Sequence, residues 1–565
     1  MTSPAGERGS GARRWKRMRA ARRVAQGVSL VLFLYLIAAT ASLTGAGFDA
    51  STSAEVPYPV EAFLLLDPLA GAMTLLGTGT IPTAMLLGLV TLGSAMLLGR
   101  AFCGWICPLG TLNHIVGAVG PKPPARRRME ANRTRPYQKI KYGLLVFALL
   151  AALAGSAIGG LIDPISLATR GISQTVLPWM SYAVGGAVEG AAESGVPAVQ
   201  HASDALYDGL EGVLFYQRSM LVSGGFLVAV VFLAVLIANR WIFRFWCRGL
   251  CPLGAMLGVS GRFGLLALEK DAEACSGCNR CQLVCSGAAS PRPQDRWQRA
   301  ECDLCMNCVA VCPDDALAFR LAGRAPAPES PVPPERPLPD VSRRALLASA
   351  AAGLALVPAA RTGGIVSARG RPGPECIRPP GSLAEPEFLE RCVRCGQCIK
   401  ICPQNALHPA LDEAGLEGLW TPVLVPRAGY CEPTCTLCTQ VCPTAAIRRV
   451  TEAEKTGADG ERMVRIGTAF VDRGRCLPWA MGIPCTVCEE FCPIAPKAIW
   501  LEEVEVPDRD GGTVTLKRPY VDPAQCNGCG ACEHVCPVHD RAAIRVTSAG
   551  ETRSRDNQLL LADDG

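Results

Sequence analysis

Long apolar runs separated by charged loops fill the first 260 residues, and beyond that point the pattern breaks into short segments without sustained periodicity. Val24 to Gly45 is long enough to span a bilayer, for which about 20 apolar residues are needed. Residues 62–98 are apolar but interrupted by Asp67-Pro68, Gly77, Gly79 and Pro82, which predicts a broken, re-entrant entry followed by a helix over 82–99. Further spans are expected over 142–161 and 219–239, with a loop near 165–217 too polar to cross. A 16-residue run, 345–360, follows Arg343-Arg344. It is short for a span and fits the apolar part of a twin-arginine export signal; an Ala-rich helix with a basic start is the plain alternative.

Charge orients these segments. Residues 1–23 carry eight Arg or Lys against one acid, and the loop at 121–141 is also strongly basic, so both belong on the cytoplasmic side. A cleaved N-terminal signal is the alternative for 24–45, but no cleavage site follows and the later segments behave as anchors. Four crossings leave residues 261–320 inside, and a fifth at 345–360 would carry the rest outside. The net charge of +6 is concentrated in the tail and membrane-proximal loops, a topology signal and not a nucleic-acid footprint.

The membrane half repeats itself. Asp67-Pro68 followed by Cys103-x3-Cys107-Pro-Leu-Gly is echoed by Asp163-Pro164 followed by Cys247-x3-Cys251-Pro-Leu-Gly, an internal duplication that brings both cysteine pairs to the cytoplasmic face. Residues four apart share a helix face. The four thiols therefore suit an iron centre, a redox dithiol or the edge of a quinone headgroup site, against the plainer role of small residues at tight helix ends. Asp67 and Asp163 suit either proton acceptance from a quinol or helix capping ahead of proline.

Of 29 cysteines, 24 fall into six runs of four, a regularity no disulfide framework shows. Cys275, Cys278, Cys281, Cys285 and Cys302, Cys305, Cys308, Cys312 have the C-x2-C-x2-C-x3-C spacing of a bacterial ferredoxin, in which three thiolates of one run and the last of the other hold a cubane. Structural zinc fits paired C-x2-C elements but has no use for four thiols in one tight run. The crossed rule groups Cys275, Cys278, Cys281 with Cys312, and Cys302, Cys305, Cys308 with Cys285. Later runs extend it: Cys392, Cys395, Cys398 with Cys442; Cys431, Cys435, Cys438 with Cys402; Cys476, Cys485, Cys488 with Cys536; Cys526, Cys529, Cys532 with Cys492. Proline follows the last cysteine in five runs; at Cys285 it is Ser286, where the local turn is expected to differ. Cys376 stands alone as a non-ligand.

The expected fold is a helical membrane bundle plus small α+β ferredoxin-type domains. In order these are a basic tail (1–23), a four-span bundle (24–260), a two-cluster ferredoxin domain (261–320), a proline-rich linker (321–341), a signal-like or fifth membrane segment (342–360), a four-cluster domain (361–545) and a disordered tail (546–565). Six [4Fe-4S] clusters are expected. The five histidines lie outside the clear spans, which argues against paired haem ligation, and no nucleotide fingerprint or hydrolytic set is present.

Residues 24–320 resemble the NapH/MauN-type membrane ferredoxins. Residues 342–540 are similar to the NapG/MauM type, with Arg343-Arg344 and Ile377-Arg378-Pro379-Pro380-Gly381 ahead of the first run. The resemblance implies a fusion of the two: a quinol dehydrogenase in the inner membrane that passes electrons from the quinol pool to a periplasmic oxidoreductase or cytochrome, with Cys103, Cys107, Cys247 and Cys251 as quinol-linked positions. The competing readings are an iron–sulfur maturation factor and a redox sensor, both without quinone turnover.

Overall fold

The computed structural model describes residues 5–45, 55–56, 59–119, 123–210, 224–321, 341–362, 373–507 and 511–559. Most of the proline-rich linker therefore lies outside the described residues. The chain divides into two compact units, each gathered from separated stretches: residues 1–36, 62–171 and 229–357 form one, and 37–61, 172–228 and 358–565 the other.

The helix Ala5–Gly45 is continuous, and its stretch Arg13–Ala39 is the one helix among the described residues long and apolar enough to cross a membrane. The other expected spans are shorter. Thr83–Leu98 and Gly225–Ala238 are apolar helices below spanning length, and Ile140–Leu153 rises only about 21 Å over its 14 residues. The breaks have local causes. Asp67 caps the helix Pro68–Thr78 by accepting from Leu69 N at 2.9 Å, and Gly79, at φ 70°, ends it. Gly155, at φ 88°, turns the chain just past Leu153. Residues 219–223 of the expected fourth span lie outside the described residues.

The Arg343–Thr362 helix crosses Ile140–Leu153 closely: a Cβ on Gly353 would stand 2.7 Å from the Phe147 carbonyl, and Val357 is buried with Ala151 and Ile158. Strands β1 (Leu266–Lys270) and β2 (Leu317–Leu321) pair antiparallel around the first two cysteine runs, with Leu268, Trp297, Val309 and Phe319 as a small core.

The second unit holds the last four runs. Strands β3 (Leu407–Pro409) and β4 (Pro422–Leu424) form one ribbon, and β6 (Ile499–Pro507) and β7 (Thr513–Val521) another. A third joins β5 (Thr468–Val471) to β8 (Ile544–Thr547), closing the chain around the final two runs. Two departures from expectation belong here. The stretch expected as a polar loop contains the helices Leu177–Ala192 and Pro197–Leu210, tied by Ser203 Oγ donating to the Val188 carbonyl at 2.8 Å. The tail expected to be disordered from 546 is instead folded to 559: Val546 and Thr547 belong to β8, and Arg553 donates to Glu385.

The segment Ile377–Gly381 is fixed by charge. Arg378, 1% exposed, binds Glu385 Oε2 at 3.1 Å, Thr421 Oγ1 at 2.8 Å and the Pro422 carbonyl at 2.9 Å, and Arg553 reaches Glu385 at 2.8 Å. Gly381, at φ 78°, admits the Arg448 carbonyl where a Cβ would stand 2.5 Å away. Burial raises the Glu385 carboxyl, but the two guanidinium groups outweigh it and hold it at about 2. Because the folded value lies below the ordinary one of about 4.3, its stabilisation is complete above that pH and is lost as pH falls toward 2. Glu385→Ala is expected to destabilise this unit by about 3–5 kcal/mol, since Arg378 is left buried and unpaired; anaerobic denaturant unfolding at pH 7 and pH 3 measures both effects, the wild-type advantage shrinking at the lower pH.

Candidate metal centres

A thiolate run can wrap a cluster only if its backbone curls around it, and the tight runs do so through left-handed residues. In each C-x2-C-x2-C run the third and fifth positions have positive φ: Gly277 and Asn279, Leu304 and Met306, Arg394 and Gly396, Gly528 and Gly530. Only some are glycine, so the conformation is imposed at a cost of about 1 kcal/mol at each other residue. The widened runs, C-x3-C at Cys431–Cys435 and C-x8-C at Cys476–Cys485, lack this pair of turns; the second loops out through a short helix at Leu477–Met481.

After the last cysteine of four of the six runs the chain turns again, with a left-handed residue three positions on; three of these are Asp315 after Cys312, Asn405 after Cys402 and Ala445 after Cys442. The turn after Cys285 is the same, with Ala288 at φ 54°. The expectation of a different turn at Ser286 is thus corrected. Its hydroxyl, in place of a proline ring, donates to the Asp303 carboxylate at 2.7 and 2.9 Å.

The runs meet in crossed fashion. Cys275, Cys278, Cys281 and Cys312 line one recess, and Cys285, Cys302, Cys305 and Cys308 line another. In the second unit Cys402, Cys431, Cys435 and Cys438 line a third. Cys398 lies in electrostatic contact with Cys392, Cys395 and Cys442; Cys488 with Cys476, Cys485 and Cys536; Cys532 with Cys526, Cys529 and Cys492. Cys376 is buried away from these, against Ala410, Ala414 and Val423.

Each recess that gathers four thiols takes three from one run and the last of its partner, the three-plus-one set that a cubane takes. Backbone N–H groups already point at the sulfurs: Ala289 to Cys285 at 3.2 Å, Ala406 to Cys402 at 3.3 Å, Ile447 to Cys442 at 3.4 Å, Ala543 to Cys536 at 3.3 Å. Such bonds tune cluster potentials. Burial, then Asp303 and Cys285, pushes the Cys305 thiol up to about 12, so these groups become thiolates when iron supplies the opposing charge. Lys455 adds a cation at Cys431, Cys435 and Cys438, anchored on the Glu432 and Cys435 carbonyls.

The acids flanking Cys302 dock this domain onto the helices of its own unit. Glu301 takes Lys141, Tyr142 Oη at 2.7 Å and Arg100 at 3.4 Å. Asp303 takes Arg244, which with Ser286 outweighs the raising effect of burial and holds its carboxyl at about 2. Gly104 lets the loop close in: a Cβ there would stand 2.1 Å from the Asp303 carbonyl. Trp105 Nε1 donates to the Leu304 carbonyl at 3.1 Å.

The two C-x3-C-P elements come together beside this loop. Cys107 lies in electrostatic contact with Cys103 and Cys247, and Cys251 with all three others. Asp67 and Asp163 also meet. Both are fully buried, one oxygen of each caps a helix, through Leu69 N at 2.9 Å and Ser166 N at 2.7 Å, and the other oxygen of each has no hydrogen-bond partner among the described residues. Capping, one of the two roles the sequence left open, is therefore a role they fill. Arg100, Arg244, Glu301, Asp303 and Lys455 escaped sequence reading. The first two were within reach, because the repeat extends three residues upstream to read R-x2-C-x3-C-P-L-G twice.

Comparison with known proteins adds to this geometry. One 4Fe-4S binding domain model matches both 80–126 and 222–270, others of that description match 299–315 and 388–408, and a 4Fe-4S dicluster domain model matches 481–539. The methylamine utilization ferredoxin-type protein MauM of Paracoccus denitrificans is 38% identical over 221 residues, covering 36% of this chain and 87% of that protein. The ferredoxin-type protein NapG of Escherichia coli is 40% identical over 172 residues, 30% of this chain and 69% of that one. The putative electron transport protein YccM of Escherichia coli is 27% identical over 274 residues, 47% of this chain and 64% of that protein. No solved structure matches the chain.

Lys455→Met removes a positive charge that favours the reduced state of the neighbouring centre. The midpoint potential of that centre is expected to fall by roughly 60 mV, equivalent to about 1.4 kcal/mol for one electron, in an EPR-monitored redox titration, with the other centres unmoved.

Proposed function

The chain belongs to the family of MauM- and NapG-type ferredoxin-like proteins, and from that premise we propose that it is a membrane-attached electron carrier, oxidising quinol and feeding a periplasmic acceptor through six [4Fe-4S] clusters. Iron–sulfur electron transfer follows from the family and the 4Fe-4S domains; the quinol donor, the cluster count, the crossed ligand sets and the periplasmic acceptor are the proposed parts. The clusters supply the redox chemistry, and the chain sets their burial and hydrogen bonding.

One observation carries the quinol end. A cavity of about 540 Å³ in the first unit, of ligand-binding size, runs from Cys285 to His114, Asn239, Trp241 and Phe243. His114 packs edge-on against Phe243 with ring centroids 5.6 Å apart, and its Nδ1 has no partner among the described residues. A ring that gives up two electrons and two protons needs an aromatic slot, a proton acceptor and a nearby cluster. Here these are Trp241 and Phe243, His114 and the Cys285 centre. Asp67 and Asp163 do not line this cavity.

Membrane attachment is supported by exposed apolar side chains on the helices of expected spans, among them Val24 at 66% and Phe226 at 83% exposure. The packing of Val357 in the first unit supports retention of residues 345–360 in the chain. The basic loops support a cytoplasmic position for the Cys275–Cys312 domain. A periplasmic second domain is supported by Val60, which follows the first expected span on the side away from the basic tail and is buried in the core of the four-cluster unit.

Anaerobically purified full-length protein is expected to hold about 24 iron atoms in these clusters and to have them reduced by a menaquinol analogue. His114→Ala is expected to slow that reduction about tenfold or more without loss of iron. Clusters that dithionite reduces and quinol does not would sink the quinol reading and leave the maturation role standing.

A further inference from the structure

The helix Ala5–Gly45 lays one face along the two-cluster domain and the first C-x3-C-P element. Trp15 packs edge-on against Phe319 with ring centroids 6.3 Å apart, and Met18 joins the same small core. Gln26 Nε2 donates to the Gly104 carbonyl at 2.9 Å, and Ser29 Oγ donates to the Ile106 carbonyl at 2.6 Å. Steps of three and four residues put positions 15, 18, 22, 26 and 29 on one side of a helix, so Arg22 sits in the middle of this seam. Of the basic tail's cations whose side chains are described, only Arg22 is buried, at 1% exposure.

Nothing in the polypeptide satisfies that guanidinium. Its Nε, Nη1 and Nη2 all lack a hydrogen-bond partner among the described residues. A guanidinium carries five N–H donors and stays charged, and a buried charge is tolerated only when it is paired and hydrogen-bonded. The attractive charges it faces are Cys305 and then Asp303, while Arg244 and Arg23 repel it. Asp303 is already engaged, by Arg244 and by Ser286 Oγ at 2.7 and 2.9 Å. Sulfur at the Cys305 centre is what remains for Arg22 to bind.

We propose that Arg22 donates charge-assisted hydrogen bonds to the sulfurs of the cluster held by Cys285, Cys302, Cys305 and Cys308, and so raises that cluster's reduction potential. A cluster with four thiolates is anionic and becomes more so on reduction, so a fixed cation with N–H donors stabilises the reduced form more than the oxidised one. Arg22 lies outside every stretch that the 4Fe-4S models match. The inference rests on the reading of these four cysteines as a cluster site, and it gives the N-terminal helix a part in electron transfer besides orienting the chain.

The test is an EPR-monitored redox titration of anaerobic full-length protein, with the signal of this centre identified as the one that Cys305→Ser changes. In Arg22→Met the iron content is expected to stay at the wild-type value, while the balance between oxidised and reduced forms of that centre shifts about tenfold toward oxidised. For one electron this is a fall of about 59 mV. Arg22→Lys keeps the charge but not the planar fork, and is expected to show a smaller fall of the same sign. Exchangeable-proton couplings to the reduced centre, measured by ENDOR before and after transfer to deuterium oxide, are expected in wild type and reduced in Arg22→Met. An unmoved potential with iron retained, or couplings identical in the two proteins, overturns the role of Arg22 and leaves the cluster reading intact. A wild type with no signal that responds to Cys305→Ser overturns both. Should Arg22→Met lose iron, Arg22→Lys decides: a lowered potential supports the proposal and an unmoved one overturns it.

Discussion

Sulfur atoms from two separate runs must face a common point, and most of the architecture follows from that demand. Hydrophobic packing in the ferredoxin-type regions is thin, with ribbons of three to nine residues and helices of a single turn. What closes these loops is the meeting of one run with the last cysteine of its partner, a covalent-strength tie once iron is bound. Left-handed residues at Asn279, Leu304, Met306 and Arg394 show the backbone accepting strain so that sulfurs point inward. Strain of this kind persists only where the surroundings over-determine it.

The same economy governs how the two-cluster domain attaches to its helices. Glu301 and Asp303 sit on either side of Cys302, and each neutralises buried cations that no water reaches. Removing one partner of such a set strands the rest in low dielectric, which makes the seam specific as well as tight. Arg100 and Arg244 also donate to the carbonyls of Cys247 and Cys103, so the same two side chains tie the repeats to each other and to this seam.

Cysteine spacing made the crossed meeting of runs legible, because C-x2-C-x2-C-x3-C encodes a three-plus-one wrap without reference to the rest of the fold. Apolar runs were legible as helices but not as spans: the glycines and prolines at 79, 82 and 155 cut them short, and among the described residues only Arg13–Ala39 reaches spanning length. The helical pair at 177–210 was missed because its Ala and Gly content reads as loop, while tertiary contact decides its state. The folded stretch 546–559 was missed because its anchors, Arg553 and Glu385, are 168 residues apart. Arg100 and Arg244 were in the repeat, but only three dimensions reveal that each serves the other half.

Val60 and Val56 reach the core of the four-cluster unit from near the start of the chain, and Val56 N bonds to Gln440 Oε1 across 384 residues. Loops of that length close late, because the entropy of joining their ends is spent before any contact rewards it. During synthesis from the N-terminus, the segment at 55–60 emerges hundreds of residues before its partner and must wait unpaired. β8 pairs with β5 in the same unit, so that unit is complete only after residue 547 has been made. The order of synthesis is thereby part of the fold: a loop made early is finished by a domain made hundreds of residues later.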